Sequence, residues 1–282
     1  MVRTIVRERI PRRDPRLGRH ICHDSASRGF AFTASSRLLT SVRHQRRAPV
    51  FDQGQLGSCV PNAGVGALGT DPFYGDLRSR LVWAESTCLD FYRAVTRADP
   101  WPGQWEPTDT GSDGLSMAKV FVTDTLISGY LHAFTFADAL AALADRPVIT
   151  GVNWYSSMFD PTPGGEVRIT AGATVAGGHE FVVDELDVEG QRVWATNSWG
   201  TSWGVAGRFW MSFATWSRLL GEDGDVTVFV PVTQPAPTPP PSPADPDKTL
   251  AAAVRGWASA RHVGSNAAAA KAVRAWIAAK AL

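Results

Sequence analysis

Asn197-Ser198-Trp199-Gly200-Thr201-Ser202-Trp203-Gly204 is the stretch on which the reading of this chain turns. It closes a run, Arg192–Asn197, whose composition predicts a strand. An amide at the end of a strand can hold an imidazole through one ring nitrogen, and Trp199 beside it can shield that hydrogen bond from water. Trp203 and the surrounding glycines read as packing. Working back along the chain, the histidine that fits lies in Gly177-Gly178-His179-Glu180-Phe181-Val182-Val183. Of six histidines, His179 alone leads directly into a strongly apolar strand, and the two glycines before it let another backbone or a substrate approach the ring. Further back, Asp52-Gln53-Gly54-Gln55-Leu56-Gly57-Ser58-Cys59 places a thiol where a helix is predicted to begin. A thiol, an imidazole and an amide are what a thiolate nucleophile, its base and the orienter of that base require.

Cys59 opens the predicted helix Cys59–Leu68, with Ser58 as its N-cap and Pro61 tolerated because it falls in the first turn. A thiol there faces orphan backbone N–H groups and the positive end of the helix dipole, so it is expected to titrate below the roughly 8.5 of a free cysteine. Gln53 lies six residues earlier across a glycine-containing loop. Folded back, its amide can donate beside the Cys59 N–H and complete an oxyanion hole. Cys88, in Ala84-Glu85-Ser86-Thr87-Cys88-Leu89, reads as a buried structural cysteine.

Around these residues the chain divides by composition. Residues 1–48 carry twelve Arg against three acids and read as a basic arm with little periodicity. Such an arm is a solvated surface, folds onto the acidic core, or binds an anionic polymer. Residues 49–232 read as the globular domain, helical over about 49–146 and strand-rich over about 147–232, an α+β arrangement with two lobes. Helices are predicted at Cys59–Leu68, Leu77–Arg97, Leu115–Ser128, Phe136–Asp145 and Ala214–Leu220. Strands are predicted at Val148–Val152, Val167–Ile169, His179–Leu186, Arg192–Asn197, Arg208–Ser212 and Val226–Val230.

Residues 233–248 form a proline-rich linker, within a stretch Pro231–Pro246 where eight of sixteen residues are Pro. Beyond it, 249–282 repeats Ala253-Val254-Arg255-Gly256-Trp257 as Ala272-Val273-Arg274-Ala275-Trp276, which predicts a helical hairpin acting as a docking element. The tail carries five basic residues and no acid, so it and the arm are the expected contacts for an anionic polymer or a protein partner.

The whole sequence of 282 residues, 44% hydrophobic with eleven Trp, favours a packed globule over disorder. No run reaches the roughly 18 apolar residues of a membrane span. Met1-Val2-Arg3-Thr4-Ile5-Val6-Arg7-Glu8-Arg9 has no apolar segment of the signal-peptide kind, so cytoplasmic synthesis is expected. Three cysteines, Cys22, Cys59 and Cys88, do not form a disulfide framework.

Taken together, Gln53, Gly57-Ser58-Cys59, Gly178-His179 and the block Asn197–Gly204, continuing through Gly207-Arg208-Phe209, resemble the signature blocks of papain-like cysteine peptidases. The match spans roughly residues 49–232 in the family's order. It implies a helical left lobe, an antiparallel, barrel-like right lobe and a cleft between them. It also implies Cys59 as nucleophile, His179 as base and acid, Asn197 as orienter and Gln53 as oxyanion donor, acting on a peptide or protein substrate without cofactor or metal. Gly111-Ser112 with Leu115 and Ala118 resembles the substrate-side segment of bacterial members. Val60-Pro61-Asn62 departs from the aromatic usual after the cysteine, the usual half-cystines are missing, and no long helical propeptide is apparent. The trimmed pattern resembles bacterial and bacteriophage members, for which a virion-associated location is one expectation. Two other readings compete: a virion- or surface-associated binding module that keeps the fold, and an amidase or transferase acting on cell-wall peptide.

Two further patterns carry weaker readings. Gly64-Val65-Gly66-Ala67-Leu68-Gly69 matches a dinucleotide fingerprint but falls inside the predicted helix, where small residues allow close packing. His20-Ile21-Cys22-His23 offers metal-ligand types with no second cluster to complete a tetrahedral site.

Overall fold

The computed structural model describes residues 6–24, 27, 29–32 and 39–237. The chain divides into two compact units, Met1–Thr238 and Pro239–Leu282. The predicted tail hairpin at 249–282 and most of the proline-rich linker lie outside the described residues.

The first unit begins with a short antiparallel pair, β1 (Val6–Glu8) and β2 (Ile21–His23). After β3 (Val42–Arg43) come four helices, α1 (Cys59–Leu68), α2 (Tyr74–Leu77), α3 (Glu85–Ala98) and α4 (Gly114–Thr123). Then follow β4 (Gly129–Ala133), α5 (Phe136–Asp145), β5 (Val148–Tyr155), β6 (Val175–Asp187), β7 (Arg192–Thr196), β8 (Arg208–Ser212), α6 (Phe213–Gly221) and β9 (Asp225–Val230). Helices first and antiparallel strands second give the papain-like α+β fold. The main sheet has seven strands in the order β4-β9-β5-β6-β7-β8, with β3 also paired to β6.

β6 is the spine of this arrangement. It is thirteen residues long and pairs with β5, β7 and β3. Because successive side chains point to opposite faces, it feeds two cores. Phe181 and Val183 join a cluster with Val152, Trp154, Phe209 and Trp216. Val182 joins the other, with Ile149, Phe229, Phe73 and the helical residues Val60, Val65 and Phe121. Trp154, fully buried, meets Phe159, Phe181, Trp199 and Phe209 ring to ring. Burying one such side chain removes on the order of 200 Å² from water, worth about 5 kcal/mol at most.

All ten residues of α1 are buried. A Cβ at Gly64 would stand 2.2 Å from Met117 Sδ, and one at Gly66 2.8 Å from Arg46 Nη1, so the fingerprint-like glycines serve helix packing. Asp113, Thr135 and Ser212 cap α4, α5 and α6 through their side chains. Ser58 stands at the N-cap of α1 but makes no side-chain cap bond; its oxygen accepts instead from Asn62 Nδ2 at 3.2 Å.

Several expectations need correction. The helix predicted over Leu77–Arg97 is two helices, interrupted at 78–84. There Arg80 leaves the helical path to donate to the carbonyl oxygens of Thr125 and Asp124, and Trp83 packs on Tyr74 with ring centroids 5.2 Å apart. The helix predicted to reach Ser128 stops at Thr123, where Thr125 turns to φ 56° and the Leu126 N–H returns to the Phe121 carbonyl. The residues beyond it form β4, paired along its whole length with β9.

No strand forms at Val167–Ile169. Prolines 161 and 163 and the two following glycines interrupt the approach, and Val167 is held by one bond from its N–H to the Trp210 carbonyl. β6 begins at Val175, so His179 lies within a strand and not at its start. The arm carries β1 and β2, and its residues 17–22 are buried.

Candidate active site

Cys59 is the first residue of α1 and has no exposed surface. The backbone N–H groups of Gly18 of the arm and Glu180 of β6 pull its thiol back toward the ordinary range, against burial. Glu180 directly follows His179, and β6 packs on the helix that carries the thiol. His179 Nε2 lies 2.7 Å from Asn197 Oδ1, which also accepts the Ser198 N–H at 2.9 Å. That second donor identifies the atom as oxygen. The ring therefore carries its proton on Nε2 and keeps a lone pair on Nδ1, a buried atom with no hydrogen-bond partner. Trp199 lies against one side of the ring at 4.7 Å and Trp154 meets it edge-on at 4.9 Å, which keeps water from the His179–Asn197 bond.

Gln53 reaches the same region along a different path. Its backbone N–H donates to the Ser198 carbonyl at 2.9 Å, and Ser198 Oγ donates to Gln53 Oε1 at 2.6 Å. The loop before Cys59 is thereby fastened to the loop after Asn197. Gln53 Nε2 donates to the carbonyl oxygens of Leu56 and of Arg16, the latter at 3.0 Å. A peptide carbonyl from the arm thus occupies the amide that the sequence marks as an oxyanion donor.

The arm passes between the lobes. On the helical side, Ser112 donates its N–H to the Gly18 carbonyl at 2.8 Å and accepts from the His20 N–H at 2.7 Å. On the sheet side, the Arg19 N–H donates to the Gly178 carbonyl at 3.0 Å, and that of Arg13 to the Ala176 carbonyl at 2.7 Å. Only glycines admit so close a passage. A Cβ at Gly178 would lie 2.2 Å from the Arg19 oxygen, one at Gly111 2.3 Å from the Gly18 oxygen, and one at Gly18 1.9 Å from the Gly57 oxygen.

Arg12 pairs with Asp109 at 2.8 Å, and the Arg16 guanidinium stacks 4.4 Å over Trp199. His20 completes the anchorage, its ring bridging the Ile10 N–H and the Thr110 carbonyl. His23 instead faces the His132 ring at 5.5 Å, so the two histidines of the possible metal motif have separate partners.

This occupancy changes the electrostatics expected of the thiol. Burial pushes Cys59 up to about 12, with the nearby Glu180 carboxylate adding to the rise. Burial also pushes His179 down to about 4, against the pull of its bond to Asn197. At neutral pH both groups are uncharged while the arm is in place, and the expectation of a thiol below the ordinary range is not met in this state. The helix dipole and N–H donors remain, but desolvation outweighs them. Cys88 is pushed well above its ordinary value, chiefly by burial among apolar neighbours, with the Glu85 carboxylate adding to the rise.

Of the four residues singled out in the sequence, His179 and Asn197 are bonded directly, Gln53 is tied to Ser198 beside them, and Cys59 opens the helix packed on the strand that carries His179. Leu17, Gly18 and Arg19 of the arm, which pass between the lobes, were not singled out, nor were Glu180 and Asp225 beside them. A carboxylate immediately before the apolar run Phe181-Val182-Val183 was the available signal for Glu180. With the arm displaced, Gln53→Ala is expected to lower kcat by about 10²-fold through loss of an oxyanion donor, and Asn197→Ala by less, because it orients the base without touching the reacting atoms. Single-turnover kinetics on a peptide anilide checks both; a Gln53→Ala protein of unchanged rate removes that assignment.

Solved structures of cysteine proteases share this fold. Xylellain, a cysteine protease from Xylella fastidiosa, aligns with a TM-score of 0.62 at 20% identity, over 78% of this chain and 98% of that one. A digestive procathepsin L 3 of Tenebrio molitor larval midgut aligns at 0.51 and 14% identity, over 71% and 73% of the two chains. The Carica candamarcensis cysteine protease CMS1MS2, in complex with E-64, aligns at 0.50 and 15%, over 66% and 94%. No protein-family model matches the sequence, and a search of curated proteins finds no match.

Proposed function

We propose that this chain is a cysteine peptidase that hydrolyses peptide bonds through a Cys59–His179–Asn197 acyl-enzyme mechanism once the arm leaves the cleft. The observation that carries the reading is the imidazole of His179, bonded to Asn197 on Nε2 and unbonded on Nδ1, on the strand β6 that packs on the helix opened by Cys59. A ring held by an amide on one nitrogen and unbonded on the other is free to accept a proton there.

The steps balance with these groups alone. With the arm withdrawn, water and substrate replace the burial that holds the pair neutral, and His179 Nδ1 takes the Cys59 proton. The sulfur adds to the carbonyl carbon, and the oxyanion accepts from Gln53 Nε2 and the Cys59 N–H, the amide freed from Arg16 serving this end. His179 returns the proton to the amine as the carbon–nitrogen bond breaks. A water, deprotonated by the same ring, opens the thioester to a carboxylate and restores the thiol.

Hydrolysis and acyl transfer share the thioester, so they are separated by the product. A peptide mixture incubated in ¹⁸O-labelled water with the arm displaced is expected to yield new C-terminal carboxylates carrying the label. Products joined to an added amine, without label, indicate a transferase, and an unchanged mixture indicates a binding module.

A further inference from the structure

Two histidines distant in sequence meet where the arm lies against the sheet. His23 ends β2 of the arm and His132 lies on β4, with ring centroids 5.5 Å apart and planes at 87°. His132 is 2% exposed, and its Nε2 is buried without a hydrogen-bond partner. Nδ1 of His23 is buried without one as well. Both side chains line a cavity of about 60 Å³, with Phe134, Thr135, Leu220 and Asp225 on its other walls. A buried imidazole nitrogen with no partner is a polar group awaiting a proton donor or a metal ion.

The arrangement suits a metal ion. An ion held by two imidazole nitrogens at about 2.0–2.1 Å brings their ring centres to about 5 Å, close to the separation already present. Nδ1 of His132 lies 3.5 Å from Thr227 Oγ1. With its proton on Nδ1, directed at that hydroxyl, the ring presents a lone pair at Nε2. Asp225 is engaged by Arg19 at 2.5 Å, so it flanks the cavity as the partner of another cation. Among the described residues no three metal-binding side chains are grouped to hold an ion, so the two imidazoles would share it with water, for which the cavity has room. Imidazole ligands favour zinc and its neighbours over calcium or magnesium. His20, nearby in the same stretch, is committed to the Ile10 N–H and the Thr110 carbonyl.

The position gives such an ion a consequence. His132 already holds the arm through its backbone, its N–H donating to the Phe30 carbonyl at 2.7 Å and its carbonyl accepting from the Phe32 N–H at 2.8 Å. One imidazole belongs to the arm and the other to the sheet, so the pair exists only while the arm is seated. An ion bound by both favours the seated state by mass action.

We propose that His23 and His132 form a binding site for a divalent transition-metal ion of the zinc class, and that the ion latches the arm in the cleft. Neither the binding nor the latch requires turnover, so both stand apart from the peptidase reading.

Zinc is titrated by calorimetry into the full chain carrying Cys59→Ala, a replacement that keeps the catalytic thiol from competing for the metal. One ion per chain is expected, and His23→Ala and His132→Gln are each expected to lower the affinity about 10²-fold or more, with a melting curve to show that they fold. His23 is only half-buried, so its variant decides alone if His132→Gln does not fold. Release of the arm is read by hydrogen exchange at the Arg19 and His20 amides, which bond to Gly178 and Ser112. With zinc at about ten times its Kd, exchange there is expected to slow about 10-fold, and to stay unchanged in the His23→Ala chain. No zinc binding, or affinity untouched in the folded variants, overturns the site. Binding that leaves exchange at both amides unchanged overturns the latch.

Discussion

Gly18→Val is expected to raise kcat/KM for a small peptide substrate by about 10²-fold over the unaltered chain. The reason is steric. A Cβ at Gly18 would lie 1.9 Å from the Gly57 oxygen and 2.5 Å from its carbonyl carbon, and both are backbone atoms of the loop that leads into α1. Neither can yield without moving Cys59, so the arm must lift. While seated, it places a carbonyl on Gln53 Nε2 and occupies the backbone groups of Ser112 and Gly178. A substrate meets the site only in the fraction of molecules in which the arm is out, and its apparent affinity falls by that fraction. Closure at about 100 to 1 corresponds to about 2.7 kcal/mol. A few backbone hydrogen bonds and one buried ion pair supply that much net stabilisation. Steady-state kinetics on both proteins, with a melting curve to show that the variant is folded, decides it. An unchanged or lower kcat/KM would mean that the arm does not gate the site.

Cys59→Ala in that open background is expected to lower turnover by about 10⁴-fold or more, the largest effect of any single replacement here. On the proposed mechanism, removing the sulfur removes the atom that forms the acyl intermediate and leaves an oxyanion donor and a base without a nucleophile. The fold should survive, because the His179–Asn197 bond and the Gln53–Ser198 tie do not use the thiol. Turnover above a tenth of the parent rate, with the protein still folded, would assign the nucleophile elsewhere.

Much of this was legible before any coordinates. Asn197, His179, Cys59 and Gln53 could be read because each sits in a local pattern with its own physical reason: a strand end, a glycine-flanked apolar strand, a helix start and a turn. The two-lobed order of helices and strands followed from a change of periodicity near Pro147. Chain path and burial were not legible. An arm with twelve arginines and no period leaves solvation, folding onto an acidic core and binding of an anionic polymer all open, and nothing local in Leu17-Gly18-Arg19 says that it will lie between two lobes. Its seat depends on glycines at 111, 177 and 178 that are distant in sequence, which is a tertiary fact.

The thiol was misjudged for the same reason. Helix-start geometry favours a thiolate, but the arm's desolvation of Cys59 is non-local and larger. β4 escaped notice because its residues follow a helix without a break signal, and only pairing with β9 makes them a strand. Asp225, Gly151 and Glu180 stand in register across three strands, and no single segment reveals that row.

The most direct test of the account is the mass of the intact protein, quenched in acid while the Gly18→Val chain turns over a slowly hydrolysed peptide ester. The account predicts one acyl group per chain, mapped to Cys59, absent from the Cys59→Ala protein and scarcely formed when the arm is unaltered. Turnover without any adduct, or an acyl group on Cys22 or Cys88, would contradict it.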